Sequence, residues 1–449
     1  MDKPNFKRAR YCLPVLLMAL WAPLASGCGS GGSSQSNVTT TACTGSSPTW
    51  TSTPDVASVS ACVASASAGD TINVSAGSAT WSSGLTITKN LRLIGAGIDN
   101  TVITADTGTL ITYSPVNNAA LFRLSGFTFD ANNNRILRLE NNSLNPPIYR
   151  VRIDNNRFTN STVVGGAIEN FGTRGVVDHN TFDAMRGPMR AWGQDDANGT
   201  FDWDAFGELQ YGAANDNLYI EDNTFNLSGS LYMVSDCDAA GRYVYRYNSF
   251  RATADMFPWL DWHGGRGVTR SCFSGEIYGN TYSRGGFLVS WRGGRALFFY
   301  NSVTSGSGSF NVYNNDVCPI ETRERHNNGY AWRSRNADNS LVTDSSSGGD
   351  NLLCPGVILN STYYMDNVAN DGTVGVGAGP LASLPATCVT GVGYWATTRP
   401  TTSLADMVGP NPVMPISGTL YQCTLTSTLT NVWTAYYTPL TYPHPLTKQ

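Results

Sequence analysis

Charge is scarce in this chain: Asp, Glu, Lys and Arg together make up 14% of 449 residues, and the net charge is −4. That shortage excludes a disordered polyelectrolyte, a charge-laced coiled coil and a basic nucleic-acid binder. Histidine is scarcer still, with four residues. No two cysteines have C-x-x-C spacing and none is closely paired with histidine, which argues against a zinc site. Beyond residue 28 no stretch is apolar enough to cross a bilayer, which takes about 20 residues. Glycine is plentiful, with 46 residues, and Ser, Thr and Asn dominate where Lys and Glu are few. Such usage disfavours helices and suits many short strands joined by turns.

Residues 1–27 read as an export signal. Lys3, Lys7, Arg8 and Arg10 give the positive start, and Leu13 to Leu24 the apolar stretch. At about 12 residues that stretch is too short for a ~30 Å hydrocarbon core. It ends in Leu24-Ala25-Ser26-Gly27-Cys28, which resembles a bacterial lipobox, whose cysteine becomes diacylated. The resemblance implies lipidation at Cys28, a membrane anchor through lipid only, and a bacterial protein facing the periplasm or cell exterior. Residues 28–49, with GSGGSSQSN at 29–37, read as the flexible tether beyond that anchor. Without residues 1–27 the chain keeps 25 basic and 32 acidic side chains, so neither nucleic acid nor anionic lipid is an electrostatic partner. Eight cysteines remain after Cys12 and Cys28, an even number that implies disulfides in an oxidising compartment. They allow on the order of a hundred pairings. Nearest neighbours in sequence give Cys43–Cys62, Cys237–Cys272, Cys318–Cys354 and Cys388–Cys423 as the expected set.

Pro54-Asp55 followed by Val56, Val59, Cys62 and Val63 predicts a short amphipathic helix, with Asp55 as its N-cap. Beyond it the strongest signal is an internal repeat. Six segments end alike: DNNRF (154–158), DHNTF (178–182), EDNTF (221–225), RYNSF (246–250), YGNTY (278–282) and FYNSV (299–303). With Asn156, Asn180, Asn223, Asn248, Asn280 and Asn301 aligned, apolar or small residues fall five and three places before each Asn. Another follows two places after: Phe158, Phe182, Phe225, Phe250, Tyr282 and Val303. Leu121 to Phe129 keeps the pattern with Phe127 in place of Asn. Period-two alternation marks a strand with one buried face. Spacings of 24, 43, 25, 32 and 21 residues fit one solenoid coil swollen in places by insertions. A turn Asn in each coil can bridge its neighbours through its amide.

The run GDTINVSAGSATWSSGLTITKNLRLIGAG (69–97) and these Asn coils resemble parallel β-helix proteins of the pectin-lyase-like superfamily. The resemblance implies an all-β, right-handed parallel β-helix over residues 50–330, with the helix at 56–66 as its N-terminal cap. Residues 331–449 show no Asn repeat and read as an irregular, loop-rich C-terminal cap held by disulfides. Known activities of that superfamily do not transfer. Of the polygalacturonase set N-T-D, D-D, G-H-G and R-I-K, only Asp195-Asp196 is present. Val176-Val177-Asp178-His179 faintly resembles the W-x-D-H of pectate lyases, but nothing matches their R-x-P-x-x-R. Asp178 and His179 also occupy the ordinary turn register of the repeat.

Three groups of residues could carry chemistry. Six places before each Asn stand Arg150, Arg174, Asn217, Arg242, Ser274 and Arg295, a broken arginine column on one outer face. It is either salt-bridged to the acids of that face or a track for carboxylated or sulfated sugars, which guanidinium forks grip bidentately. Thirteen and fifteen places after the Asn lie Asp236 and Asp238, then Asp261 and His263, then Gly293 and Arg295, with Arg292 adjacent. If the coils stack in register, Asp236 lies beside Asp261, and Asp238, His263 and Arg295 are neighbours. Trp259, Trp262 and Trp291 surround them as candidate sugar-stacking rings, and Arg266 follows in a Gly-rich stretch. Elimination from a uronic acid needs a base and a cation for the enolate, roles open to His263, Arg266, Arg292 and Arg295. Asp236, Asp238 and Asp261 could hold Ca²⁺. A structural hydrogen-bonded ladder is the competing reading. The third group, Asp195, Asp196, Asp202 and Asp204, is either a Ca²⁺ loop or a solvated acidic insertion.

Two functions therefore stand open. One is a surface-anchored, monomeric enzyme on polysaccharide, a lyase of an acidic glycan. The other is a non-catalytic glycan-binding or adhesive lipoprotein on the same solenoid.

Overall fold

The structure is a computed structural model, describing residues 43–141, 147–192, 211–227, 233–254, 258–263, 271–312, 328–345, 357–400 and 402–449. Cys28, Arg266, the Cys318–Cys354 pair and the acidic stretch 195–204 lie outside the described residues.

The repeat folds as a parallel β-helix. Three long sheets run side by side, of 13, nine and ten strands, and successive coils contribute one strand to each. The first sheet runs from Thr44–Ser46 to Tyr363–Met365, the second from Gly77–Trp81 to Ser302–Val303, and the third from Leu85–Ile87 to Thr343–Asp344. Pairing is parallel throughout these sheets except for the Thr44–Ser46/Thr49–Ser52 hairpin. The parallel stack continues past residue 330 to Met365.

Each Asn stands at the bend between the first and second sheets, preceded by a residue in the left-handed region: Asn155 (φ 52°), His179 (55°), Asp222 (59°), Tyr247 (58°) and Tyr300 (50°). The Asn side chains form one continuous column. Asn180 Oδ1 accepts from the backbone N–H of Asn156 at 3.0 Å, Asn223 Oδ1 from Asn180 at 2.9 Å, and Asn248 Oδ1 from Asn223 at 3.0 Å. Their Nδ2 groups donate to carbonyls such as Ile153 O (2.8 Å) and Val177 O (2.8 Å), satisfying backbone that water cannot reach. Phe127, where the Asn is missing, ends the column by donating its N–H to Asn156 Oδ1. Just after the bend, Phe158, Phe182, Phe225 and Phe250 stack with centroids 4.4–5.2 Å apart.

The cap helix is Val56–Ser65. Asp55 accepts from Ser58 N–H at 2.9 Å, and Lys89 Nζ donates to the carbonyls of Val63, Ala64 and Ala66 at its C-terminus. The disulfides Cys43–Cys62, Cys237–Cys272 and Cys388–Cys423 are formed.

The C-terminal region is not an end cap. Val376–Gly379, Gly393–Ala396, Thr419–Leu425 and Asn431–Tyr437 make a fourth sheet that packs against the outer face of the first. Trp395 sits 5.3 Å from Trp332 and 5.4 Å from Phe299, and the chain then runs back until Thr447 O meets Arg152 Nη1 at 2.9 Å. The outward positions of the first sheet explain the docking: Tyr219, Val244, Tyr278, Leu297 and Phe299 are apolar or aromatic, and all are buried.

Candidate functional site

The arginine column lies on that first sheet, so it is no open track. Arg174 is bound to Asp216 (2.7 Å), and Arg242 lies over the Phe273 ring at 4.4 Å. Burial, with Arg174 nearby, pushes Arg242 down to about 10. Asp178 accepts both nitrogens of an Arg152 fork (3.0 and 2.9 Å), and His179 bridges Asp178 and Asn411, which marks that pair as an interface turn.

The second group assembles, with changes. Asp236 and Asp261 are direct partners on neighbouring strands of the third sheet. His263 N–H donates to Cys237 O at 2.9 Å, which sets it beside Asp238, and Arg292 N–H donates to Trp262 O at 2.9 Å, which sets it beside His263. Cys237–Cys272 staples the two ends of this region, since Cys272 N–H also donates to His263 O (3.0 Å). His263 Nε2 lies 2.9 Å from Asp236 Oδ1 and 2.8 Å from Asp261 Oδ2. Arg292 grips Asp261 bidentately, Nε to Oδ1 at 3.1 Å and Nη2 to Oδ2 at 2.7 Å. The side chains of His263, Asp261 and Arg292 are each 8% exposed and that of Asp236 is 16%, so Asp236 is the most open member.

Electrostatics follow from this geometry. Burial disfavours the His263 imidazolium, but its two carboxylate partners outweigh burial and raise it to about 9. Burial would raise Asp236, yet His263, with Arg190 and Arg292 beyond it, holds it below the usual carboxylate range. The site is therefore an anion–cation–anion–cation chain: Asp236, His263, Asp261, Arg292.

Four expectations need correction. Arg295 is not a neighbour of His263: it starts the next strand of the first sheet, paired with Ser274. Trp259, Trp262 and Trp291 are fully buried inside the solenoid, so no ring face is offered to a sugar. Trp262 and Trp291 fill space left by Gly275 and Gly329, where a Cβ would collide with their rings. Arg242 belongs to the covered face. Asp238 turns to its own loop, accepting from Ala239 N–H at 2.9 Å, and is not among the three donors (Asp236, Asp261, His263) whose atoms lie within 4.8 Å of one another. Those three donors are the ones a cation would meet here, with Asp261 already held by the Arg292 guanidinium.

Arg190 and Glu169 were missed. They share the row of Asp236, in the order Arg138, Glu169, Arg190, Asp236, Asp261, Ser290 across six strands. Arg190 reaches Glu169 at 3.1 Å and Arg138 reaches it at 3.5 Å. Arg190 and Ser290 follow their Asn by 10 residues, whereas Glu169, Asp236 and Asp261 follow by 13. A search allowing a three-residue slip would have found them.

Comparison of the chain with protein-family models, with curated proteins and with solved structures returned no match.

Proposed function

We propose that this is an exported, lipid-anchored β-helix protein of the pectin-lyase-like type that acts on an acidic polysaccharide by β-elimination, with the Asp236–His263–Asp261–Arg292 cluster as its active site. One observation carries the reading: four ionisable side chains from adjacent coils converge on the outer face of the third sheet, whereas the C-terminal sheet packs on the first. His263 is raised and Asp236 lowered from their ordinary ranges, and perturbed groups gathered at one place are a frequent mark of catalytic sites.

In this reading Arg292 and Arg190 hold the uronate carboxylate and stabilise negative charge as it spreads into that group. His263, in its neutral form, takes the proton beside the carboxylate. The carbon–oxygen bond of the glycosidic linkage then breaks, a carbon–carbon double bond forms, and the imidazolium returns a proton to the departing oxygen. Asp236 and Asp261 orient the ring. No step uses a metal.

The non-catalytic glycan-binding reading has its own support. Both oxygens of Asp261 are engaged by Arg292, and His263 is already shared between two acids, as a structural ladder would have it.

The test is a panel of uronate polymers followed by ultraviolet absorbance of the unsaturated product, alongside binding by calorimetry. Product from the wild type that is lost in His263→Ala and Arg292→Ala, but kept in Arg295→Ala, supports elimination. Binding without product supports the second reading. Neither on any polymer sinks both.

A further inference from the structure

Beneath the C-terminal sheet lies a second set of charges that the proposed reaction does not use. Glu276 projects from Ser274–Tyr278 on the outer face of the first sheet, between Val244 and Leu297 of the adjoining strands. It is 1% exposed. Its Oε1 accepts from Gly212 N–H at 2.7 Å and its Oε2 from the Tyr437 hydroxyl at 2.7 Å. Both contacts come from chain that covers the sheet.

Two acids lie there beside one cation, which pairs with only one of them. Arg246, fully buried, donates Nε to Glu221 Oε2 at 2.7 Å and Nη1 to Leu440 O at 2.7 Å. Glu221 in turn accepts from His444 N–H at 2.8 Å. That pair is neutral in sum, and among the described residues no basic group lies within ion-pair distance of Glu276. The remaining titratable groups around it are phenols: Tyr437 and Tyr211 from the covering chain, Tyr219 and Tyr278 from the sheet. Burial first of all pushes each of them well above its ordinary range, so they stay neutral. Arg295, one coil on, acts on Tyr211 and Tyr436.

We propose that Glu276 makes the docking of the C-terminal sheet a pH-operated clasp, closed while its carboxyl carries a proton and loosened when the proton leaves. A carboxylate buried without an ion-pair partner is costly even when hydrogen-bonded, and undocking would return it to water. Burial raises Glu276 from 4.5 to about 7, against the opposing pull of Tyr437, Gly212 and Arg246. The docked form therefore keeps a proton that the undocked form releases, and docking weakens as pH rises from 4.5 to about 7, then levels off. Asp222 works in the same direction from another point of the interface. Raised to about 6 chiefly by burial, it accepts from Asn411 N–H at 2.7 Å and from the Tyr442 hydroxyl at 2.8 Å.

The experiment uses the full chain. Limited proteolysis, with cut sites mapped to residues 376–449, is run from about pH 5 to about pH 9, with a protease active throughout. Wild-type cleavage, corrected for the protease's own profile, should rise by about two orders of magnitude across the lower half of that range. Glu276→Gln should lose most of that rise, keeping only the smaller part that Asp222 contributes below about pH 6, and should lose the infrared carbonyl band of the buried Glu276 acid. Tyr437→Phe removes a donor that favours the carboxylate, so its loosening should move to higher pH. This second variant tests the proposal even if Glu276→Gln folds poorly. A Glu276→Gln protein with the wild-type pH profile, or an unmoved profile in Tyr437→Phe, overturns the proposal.

Discussion

The first and third sheets are built from the same coils, with the same alternation and the same mixture of Arg, Asp and Glu pointing outward, yet their outer faces have opposite fates. On the first, outward residues alternate between charge and aromatic rings, and the fourth sheet lies on top: Arg246 is 0% exposed and its carboxylate partner Glu221 likewise. On the third, the charges form a row in which Asp236 keeps 16% of its surface in water. The difference lies in the apolar company. Charges among Tyr219, Tyr278 and Phe299 are buried with them and become clamps. Charges in the row of Ser290, Arg190 and Glu169 pair along the row, and the side chains of Arg190 and Asp236 stay 26% and 16% exposed. Arg–carboxylate pairs alone therefore say little about function until their neighbours are known.

The largest expected effect breaks the comparison directly. Arg246→Ala leaves Glu221 buried without its cation and should cost about 3–5 kcal/mol in denaturant unfolding. Arg292→Ala, on the more open row, leaves Asp261 still paired with His263 and should cost roughly 1–2 kcal/mol. Equal losses would mean that the third-sheet cluster is as structural as the first, and the catalytic reading would weaken accordingly.

Next in size is the reverse experiment on activity. His263→Ala should lower elimination by about 100-fold or more while moving the melting temperature little. Arg152→Ala, on the covered face, should do the opposite, since its guanidinium joins Asp178 to Thr447 O. Activity retained in His263→Ala would remove the imidazole from the mechanism.

Much of this was legible in the chain. The Asn column could be read because one residue type does one job at one bend, so each Asn repeats whatever the loops do. Asp236 and Asp261 could be paired because their two coils have equal lengths from Asn to acid. Arg295 was counted twice: six places before Asn301 it falls in the column on the first sheet, where it lies, but only residues 292–294 separate Trp291 from that strand, so the count from Asn280 runs into the wrong sheet. The three Trp residues were misassigned because an inward and an outward ring look alike in sequence. They differ only in parity, and a loop insertion changes parity. The docked sheet was missed although Tyr219, Tyr278 and Phe299 at outward positions already signalled that something covers them.

A third prediction separates the faces by pH. His263 is raised from 6.5 to about 9, so the stability it contributes is complete below 6.5 and is lost as pH rises through about 9. The difference in unfolding free energy between wild type and His263→Gln should therefore shrink by roughly 3 kcal/mol between about pH 6 and about pH 10. The same titration should govern elimination, whose rate should climb towards about pH 9 as the neutral imidazole becomes available. Glu276 also weakens its face as pH rises, but between 4.5 and about 7. A single transition that covers both windows would show that the faces do not titrate independently.

The smallest expected effect asks whether exposure, rather than the choice of sheet, sets these energies. Arg138 and Glu140 point outward from one strand of the third sheet, 2.8 Å apart, with 30% and 23% of their side chains exposed. Glu169, a coil away, offers Arg138 a second acceptor at 3.5 Å. Water screens such a pair, and the guanidinium keeps an alternative partner when one acid is neutralised. Glu140→Gln should consequently change stability by less than about 1 kcal/mol and leave its pH dependence as it was. A cost near that of Arg246→Ala would show that the third-sheet row acts as one cooperative network, with Arg138 and Glu140 as much a part of it as Asp261.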